Sequence, residues 1–261
     1  MIHEAHVSTQ AHIGQNVTIG PFSYIADDVT IGDNTWIGPN VTIMDGARIG
    51  ERCRIFPGAV IAAEPQDLKY RGEETTVTIG NDTTIRECVT VNKGTALDRG
   101  NTAVGAHCVL MAYTHIAHDC VISDHVILAN SVQMAGHVHL GKHAFVGGTT
   151  AIHQFVKIGA HTMISGGSLV RKDVPPYITA ARDPLAYAGV NSTGLRRRGF
   201  SNEKIREIQD IFRIFYLSGL NNTEALDKIK LEQPPTPERD DIIKFIEDSS
   251  RGLVRGNERL L

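Results

Sequence analysis

The chain of 261 residues carries 26 Lys and Arg against 29 Asp and Glu, a formal net charge of −3, with only 6% aromatic residues. That length fits one large domain with a smaller one. The missing basic field excludes bulk binding to nucleic acid or to an anionic membrane surface, and no apolar run is long enough to span a bilayer. Residues 1–20 hold no basic segment followed by an apolar stretch, so no secretion signal is expected there and the expected location is cytoplasmic. Cys53, Cys88, Cys108 and Cys120 are scattered without a CxxC pair and read as free, buried thiols of a reducing compartment.

From Val7 onward an aliphatic residue recurs every six positions: Val7, Ile13, Ile19, Ile25, Ile31, Ile37, Ile43, Ile49, Ile55 and Ile61. The phase survives to Ile79, Ile85 and Val91, slips by one residue across 92–103, and then runs unbroken from Val104 to Val170. A period of six is neither helical nor that of a simple half-buried strand. It is the mark of a hexapeptide β-helix, in which each hexapeptide makes one flat wall and three walls close a coil. The aliphatic residues point inward. Glycine, as in Ile13-Gly14, Ile31-Gly32 and Ile79-Gly80, or a small polar residue is expected at the tight corners. Segments 62–78 and 92–103 are too polar and glycine-rich for walls and are predicted to protrude as loops, where binding residues concentrate.

The repeat fades after Val170, and Pro175, Pro176 and Pro184 mark its exit. Ser201 reads as a helix N-cap ahead of the stripe Ile205, Ile208, Ile211, Phe212 and Phe215, with Gly219 as the stop. Thr223 opens a second helical pattern, and a third follows Pro237. The predicted fold is mainly β: a parallel β-helix of hexapeptide repeats over residues 1–189, then a small α-helical domain over 190–261 that caps the solenoid.

Eight of the twelve histidines lie between residues 115 and 161. Residues one coil apart stack, so His118 lies below Gly136, which lies below Gln154, with Asp119, His137 and His153 beside them. Such a patch suits acyl transfer to an alcohol. Imidazole is a base near neutrality, a neighbouring carboxylate orients it, and a glycine N–H can approach a developing oxyanion closely. His125, His139, His143 and His161 read as plain surface residues. Three histidines in one groove could instead hold zinc, as in a γ-type carbonic anhydrase on the same scaffold, and a non-catalytic scaffold is a further alternative. Along another edge Asn130, Gly148 and Gly166 stack, leaving a groove floored by glycine.

Several longer motifs go beyond the repeat: QDLKY at Gln66–Tyr70, HIAHDC at His115–Cys120, LANSVQMAGHV at Leu128–Val138, AIHQFVKIGAH at Ala151–His161, DVPPY at Asp173–Tyr177, GVN at Gly189–Asn191 and GLRRRGFS at Gly194–Ser201. With these the chain resembles the UDP-N-acetylglucosamine acyltransferases over nearly its whole length. The resemblance implies a left-handed coil, and transfer of an (R)-3-hydroxyacyl group to the sugar 3-hydroxyl, the first step of lipid A biosynthesis. It implies acyl carrier protein as partner, its phosphopantetheine carrying the donor, with no separate cofactor, no metal and no stable membrane insertion. It also implies a homotrimer with sites between neighbouring subunits. His118 becomes the general base, oriented by Asp119, with the Gly136 N–H facing the thioester carbonyl. Asp67, Lys69, His115, His137, His153 and Gln154 match residues around the sugar and acyl groups. Asn191, Arg197 and Arg198 match the nucleotide end, where paired arginines suit phosphate, and Gly166 matches a ruler for acyl-chain length. Thr193 stands where relatives carry a glutamate near the ribose. An acidic carrier would need local positive charge, and Arg196, Lys204, Arg206 and Arg213 are the expected strip.

Overall fold

The computed structural model describes residues 4–256. Short strands separated by turns run from His6 to Val190 and stack into three walls, of nine, eight and ten strands among the described residues. The first wall runs from His6–Val7 up to Leu169–Val170, the second from His12–Ile13 to Lys157–Ile158, and the third begins at Thr18–Ile19. Within the coil successive strands of a wall pair in parallel, one coil apart, as His6 with Tyr24 and Ile13 with Ile31. The fold is a left-handed parallel β-helix.

The inward residues make the core. Ile25, Ile43 and Ile61 on the first wall, Ile31 and Ile79 on the second, and Ile37, Ile55 and Ile85 on the third are at most 1% exposed. Burying one such side chain contributes about 1.5–3 kcal/mol. Val7 and Ile13 hold the same inward positions but stay exposed, because they belong to the first coil.

The corners differ from expectation. Asn16, Asn34 and Asp82 are indeed small polar residues in the left-handed backbone region, but so held are His107, Tyr113, His125, His137, His143, Phe155 and His161, with φ between 56° and 67°. That conformation costs about 1–2 kcal/mol for a residue with a side chain. Hydrogen bonds between coils offset it, as where His137 N donates to His118 O and Phe155 N to Gly136 O. The glycines that follow the aliphatic residues do another job. A Cβ on Gly80 would lie 2.5 Å from Ala106 N, and one on Gly20 2.5 Å from Pro39 N. They are small because the next coil passes directly over them.

The two insertions keep the stack in register, lengthening one coil to a spacing of 30 residues and the next to 25. Strands Val60–Ala63, Thr76–Ile79, Thr90–Asn92 and Asn101–Val104 reach into both polar segments. The loops proper are therefore 64–75 and 93–100, shorter than 62–78 and 92–103, because the flanking threonines and alanines pair with neighbouring coils. Both loops leave at the corner between the first and second walls.

Beyond the coil, strands Ile178–Ala181 and Ala186–Val190 form an antiparallel hairpin on the third wall. Four helices follow: α1 Ser192–Arg197, which the sequence did not signal, α2 Asn202–Leu217, α3 Asn222–Glu232 and α4 Pro237–Glu247. Ser201 caps α2. Asn221, rather than Thr223, opens α3, closing a capping box with Glu224. The chain then returns to the coil, where buried Asp173 accepts from Lys157 N at 2.8 Å and Ser249 Oγ at 2.7 Å. Among the described residues no helix is long and apolar enough to cross a membrane. Cys53, Cys108 and Cys120 are buried, burial pushing the Cys108 thiol up to about 11 and Cys120 to about 12. Cys88 departs from expectation by sitting exposed on a corner.

Candidate active site

His118 and Asp119 turn the corner between the first and second walls, where both loops emerge. Asp119 is wholly buried, and His118 is 8% exposed. The Asp119 carboxylate accepts from Thr95 N at 3.0 and 3.2 Å, from Thr95 Oγ1 at 2.7 Å, and meets His118 Nδ1 at 2.9 Å. Its own N–H donates to Thr102 Oγ1 at 2.8 Å. A buried carboxylate so satisfied is held in one position, and it fixes the imidazole with Nδ1 toward Asp119 and Nε2 away from it. Directly above, a Cβ on Gly136 would lie 2.6 Å from His118 Cε1 and 2.7 Å from Nε2, so only glycine fits there. Among the described residues the Gly136 N–H has no acceptor.

His137, one coil above Asp119, stands edge-on to His118 with ring centroids 5.0 Å apart, and stacks on Phe155 at 4.5 Å. Its Nδ1 lies 2.7 Å from Asp98 Oδ2, on loop 93–100. His115, on the outer face of the first wall, bonds Thr90 Oγ1 through Nδ1 at 2.7 Å, and burial lowers its basicity. His153 faces Arg251, with Nη2 3.1 Å from its Nδ1. Asp67 and Lys69 lie on loop 64–75, where Asp67 Oδ1 accepts from Lys69 N at 3.0 Å in a tight turn.

The remaining candidates sit on other edges of the prism. Where the second wall meets the third, His107, His125, His143, His161 and Tyr177 form a ladder of rings at 4.8, 4.6, 4.9 and 5.5 Å. Arg198 leans on it, donating from Nη2 to His143 O at 3.0 Å. Burial, with Arg198 next, pulls His143 down to about 4; burial, with His143 and Arg198 next, does the same to His161. Arg198 Nη1 and His161 Nδ1 are buried without a partner among the described residues. Asn191 caps α1 through Gly194 N and donates to His161 O at 2.9 Å. Arg197 is exposed in the last turn of α1, and Thr193 is exposed on the same helix. Gly148 and Gly166 stack where the third wall meets the first.

A family profile described as UDP N-acetylglucosamine O-acyltransferase, domain 2, matches residues 173–254, and one described as bacterial transferase hexapeptide matches 10–35 and 28–63. An acyl-[acyl-carrier-protein]–UDP-N-acetylglucosamine O-acyltransferase of Thiobacillus denitrificans is 45% identical over 251 residues, 96% of this chain and 97% of that one. The chain belongs to the UDP-N-acetylglucosamine O-acyltransferase family. It is an acyltransferase. The UDP-N-acetylglucosamine acyltransferase of Bacteroides fragilis superposes with a TM-score of 0.95 at 48% identity, covering 98% of this chain and all of that one. The protein from Acinetobacter baumannii gives 0.93 at 44% identity, covering 96% and 98%.

Within this acyltransferase chain, the geometry brings together His118, Asp119, Gly136 and His137. It does not bring Asn191, Arg197, Arg198 or Gly166 to them, since those lie on the other two edges. His125, His143 and His161 are not the plain surface residues expected, because each is stacked between ring neighbours. The expected basic strip is largely neutralised: Lys204 pairs with Glu207 and Glu238, Arg206 with Glu203, and Arg213 with Asp210. Sequence reasoning missed Thr95, Asp98 and Thr102. One signal was available, because the phase of the repeat puts both insertions at the same wall-to-wall transition as His118–Asp119.

Proposed function

We propose that the chain transfers an (R)-3-hydroxyacyl group from acyl carrier protein to the 3-hydroxyl of UDP-N-acetylglucosamine, with His118 as general base. The observation that carries this reading is the buried His118–Asp119 pair beneath the bare Gly136 N–H. With Nδ1 turned to Asp119, Nε2 is the nitrogen that takes the sugar hydroxyl proton. The Gly136 N–H, free of any acceptor among the described residues, is placed to stabilise the oxyanion as the alkoxide adds to the thioester. Asp67, Lys69, His115, His137, His153 and Gln154 line the approach, and Asn191, Arg197 and Arg198 take the nucleotide end, the arginines its diphosphate. Arg198 Nη1, buried without a partner among the described residues, is a charged donor that suits a phosphate oxygen.

Because the base and the arginines occupy different edges of one prism, a complete site calls for a neighbouring copy. A homotrimer supplies it, and the outward column Val109, Ile127, Phe145 and Met163 on the third wall offers an apolar contact face. The reaction is placed at the first step of lipid A synthesis in the cytoplasm. A zinc reading fits less well. His118, Asp119 and His137 offer atoms within 4.8 Å of one another, yet the Asp119 carboxylate is spent on Thr95 and His118, which leaves two imidazole Nε2 atoms where a zinc site takes at least three protein ligands.

Turnover of UDP-N-acetylglucosamine with a panel of 3-hydroxyacyl carrier proteins, against the matching coenzyme A thioesters, is the test. Fast transfer from the carrier protein alone is expected. Equal transfer from coenzyme A, or turnover dependent on added zinc, would overturn the reading.

A further inference from the structure

Loop 93–100 does more than protrude. Thr95 clamps the Asp119 carboxylate by its amide and its hydroxyl. Three residues on, Asp98 reaches up to His137, which lies on the coil above Asp119 and 39 residues from Asp98 in sequence. The loop therefore straps the corner at two points, one on the carboxylate that orients the base and one on the ring that stands edge-on beside it. His137 is packed as a fixed part: its side chain is 16% exposed, Phe155 backs one face, and Nε2 is 4.0 Å from Asp119.

A solvated loop carboxylate meeting a histidine by chance would contribute little. Three features argue otherwise. The 2.7 Å separation is that of a well-made hydrogen bond. The acceptor reaches a mostly buried ring. The same loop holds Asp119 through a wholly separate set of atoms. Pinning a short segment at both of its working residues opposes the local opening that would release Thr95, adding to the backbone bonds that tie Gly94 and Gly100 to Thr76.

We propose that Asp98 is a positioning residue of this site: by accepting from His137 Nδ1–H it latches loop 93–100 shut, and so holds Thr95 on Asp119 and the His118 ring in line. The consequences for catalysis rest on the reading of His118 as base; the latch itself does not. A latch of this kind acts on kcat more than on substrate affinity, because Asp98 itself touches no substrate and its loss leaves the His137 ring packed on Phe155 beside the sugar and acyl groups.

Asp98→Ala and Asp98→Asn separate the possibilities. Asn keeps an acceptor of the same reach, whereas Ala removes it. For Asp98→Ala, kcat is expected to fall roughly ten- to a hundredfold, the usual cost of a misaligned group, with KM for both substrates within about twofold and Asp98→Asn restoring most of the rate. In uniformly folded protein, nitrogen-detected NMR of ¹⁵N-histidine-labelled samples should show the His137 ring proton on Nδ1 in wild type and a shift toward the Nε2-protonated form in Asp98→Ala. Amide exchange of Thr95 should speed up in the same variant. Unchanged tautomer and unchanged Thr95 exchange would overturn the latch whatever the activity. Altered tautomer and exchange with unchanged kcat would overturn its role in catalysis. Absence of turnover in wild type with acyl carrier protein and UDP-N-acetylglucosamine would instead fail the functional reading, and the two spectroscopic measurements would still judge the latch.

Discussion

At the scale of single residues the site is defined by what is packed against His118. Removing the imidazole leaves Asp119 held by Thr95 and Thr102, so the corner should keep its shape. His118→Ala is expected to fold normally and lose about 10²–10⁴-fold in kcat, measured by turnover beside a thermal melt. A variant with near wild-type kcat would remove His118 as base. The ring ladder gives a second expectation. His143 and His161 titrate near 4 in the folded chain against about 6.5 unfolded. The unfolded chain thus binds more protons between those values, so stability falls as pH drops through that window and is insensitive to these groups above it. Melting temperature measured from pH about 7.5 to about 4.5 should fall less steeply in His143→Gln than in wild type. The stacking of His118, Gly136 and Gln154 was legible because a fixed period fixes which residues lie above one another. Thr95 and Asp98 were not, because inside an insertion the period is lost and with it any way to place a side chain.

At the scale of elements the glycines divide into two kinds. Those after the aliphatic residues make room for the next coil, which composition alone could not distinguish from a need for unusual backbone angles. Gly148 and Gly166 do something else: Gly166 is exposed, and a Cβ there would meet Gly148 O at 3.1 Å, so the facing backbone has to give by a few tenths of an ångström to admit it. A larger side chain at Gly166 would project outward and shorten any groove along that edge. Wild type is expected to prefer a long 3-hydroxyacyl chain, and Gly166→Met to prefer a shorter one by several-fold or more, each excluded methylene being worth about 0.8 kcal/mol. Profiles of kcat/KM across the acyl panel check this, and identical profiles would place the groove elsewhere. The helices were legible where stripes were long, as in α2. They were not for α1, a six-residue helix that Asn191 caps after the hairpin.

At the scale of the whole molecule the prism keeps its chemistry on separate edges. If a complete site joins His118 of one subunit to Arg198 of the next, two inactive variants should rescue each other. Co-refolded His118→Ala and Arg198→Ala chains in equal amounts should give back roughly a quarter of wild-type activity, the share of sites in a closed ring that draw an intact residue from each side. Separate mixing without refolding should give none. Recovery of no activity after refolding would mean that each chain works alone.

Inside the coil a strand is bonded to the strands one turn below and one turn above, and to no strand further along the axis. Mechanically, that makes the solenoid a stack of washers on a thread. Drawn from its C-terminal end by an optical trap, it should not rupture at once. It should pay out one turn at a time, each turn of eighteen residues releasing about 60 Å of contour, with two longer steps where the insertions lie. Those two outsized steps would mark, on a force trace, the coils that carry the loops around His118.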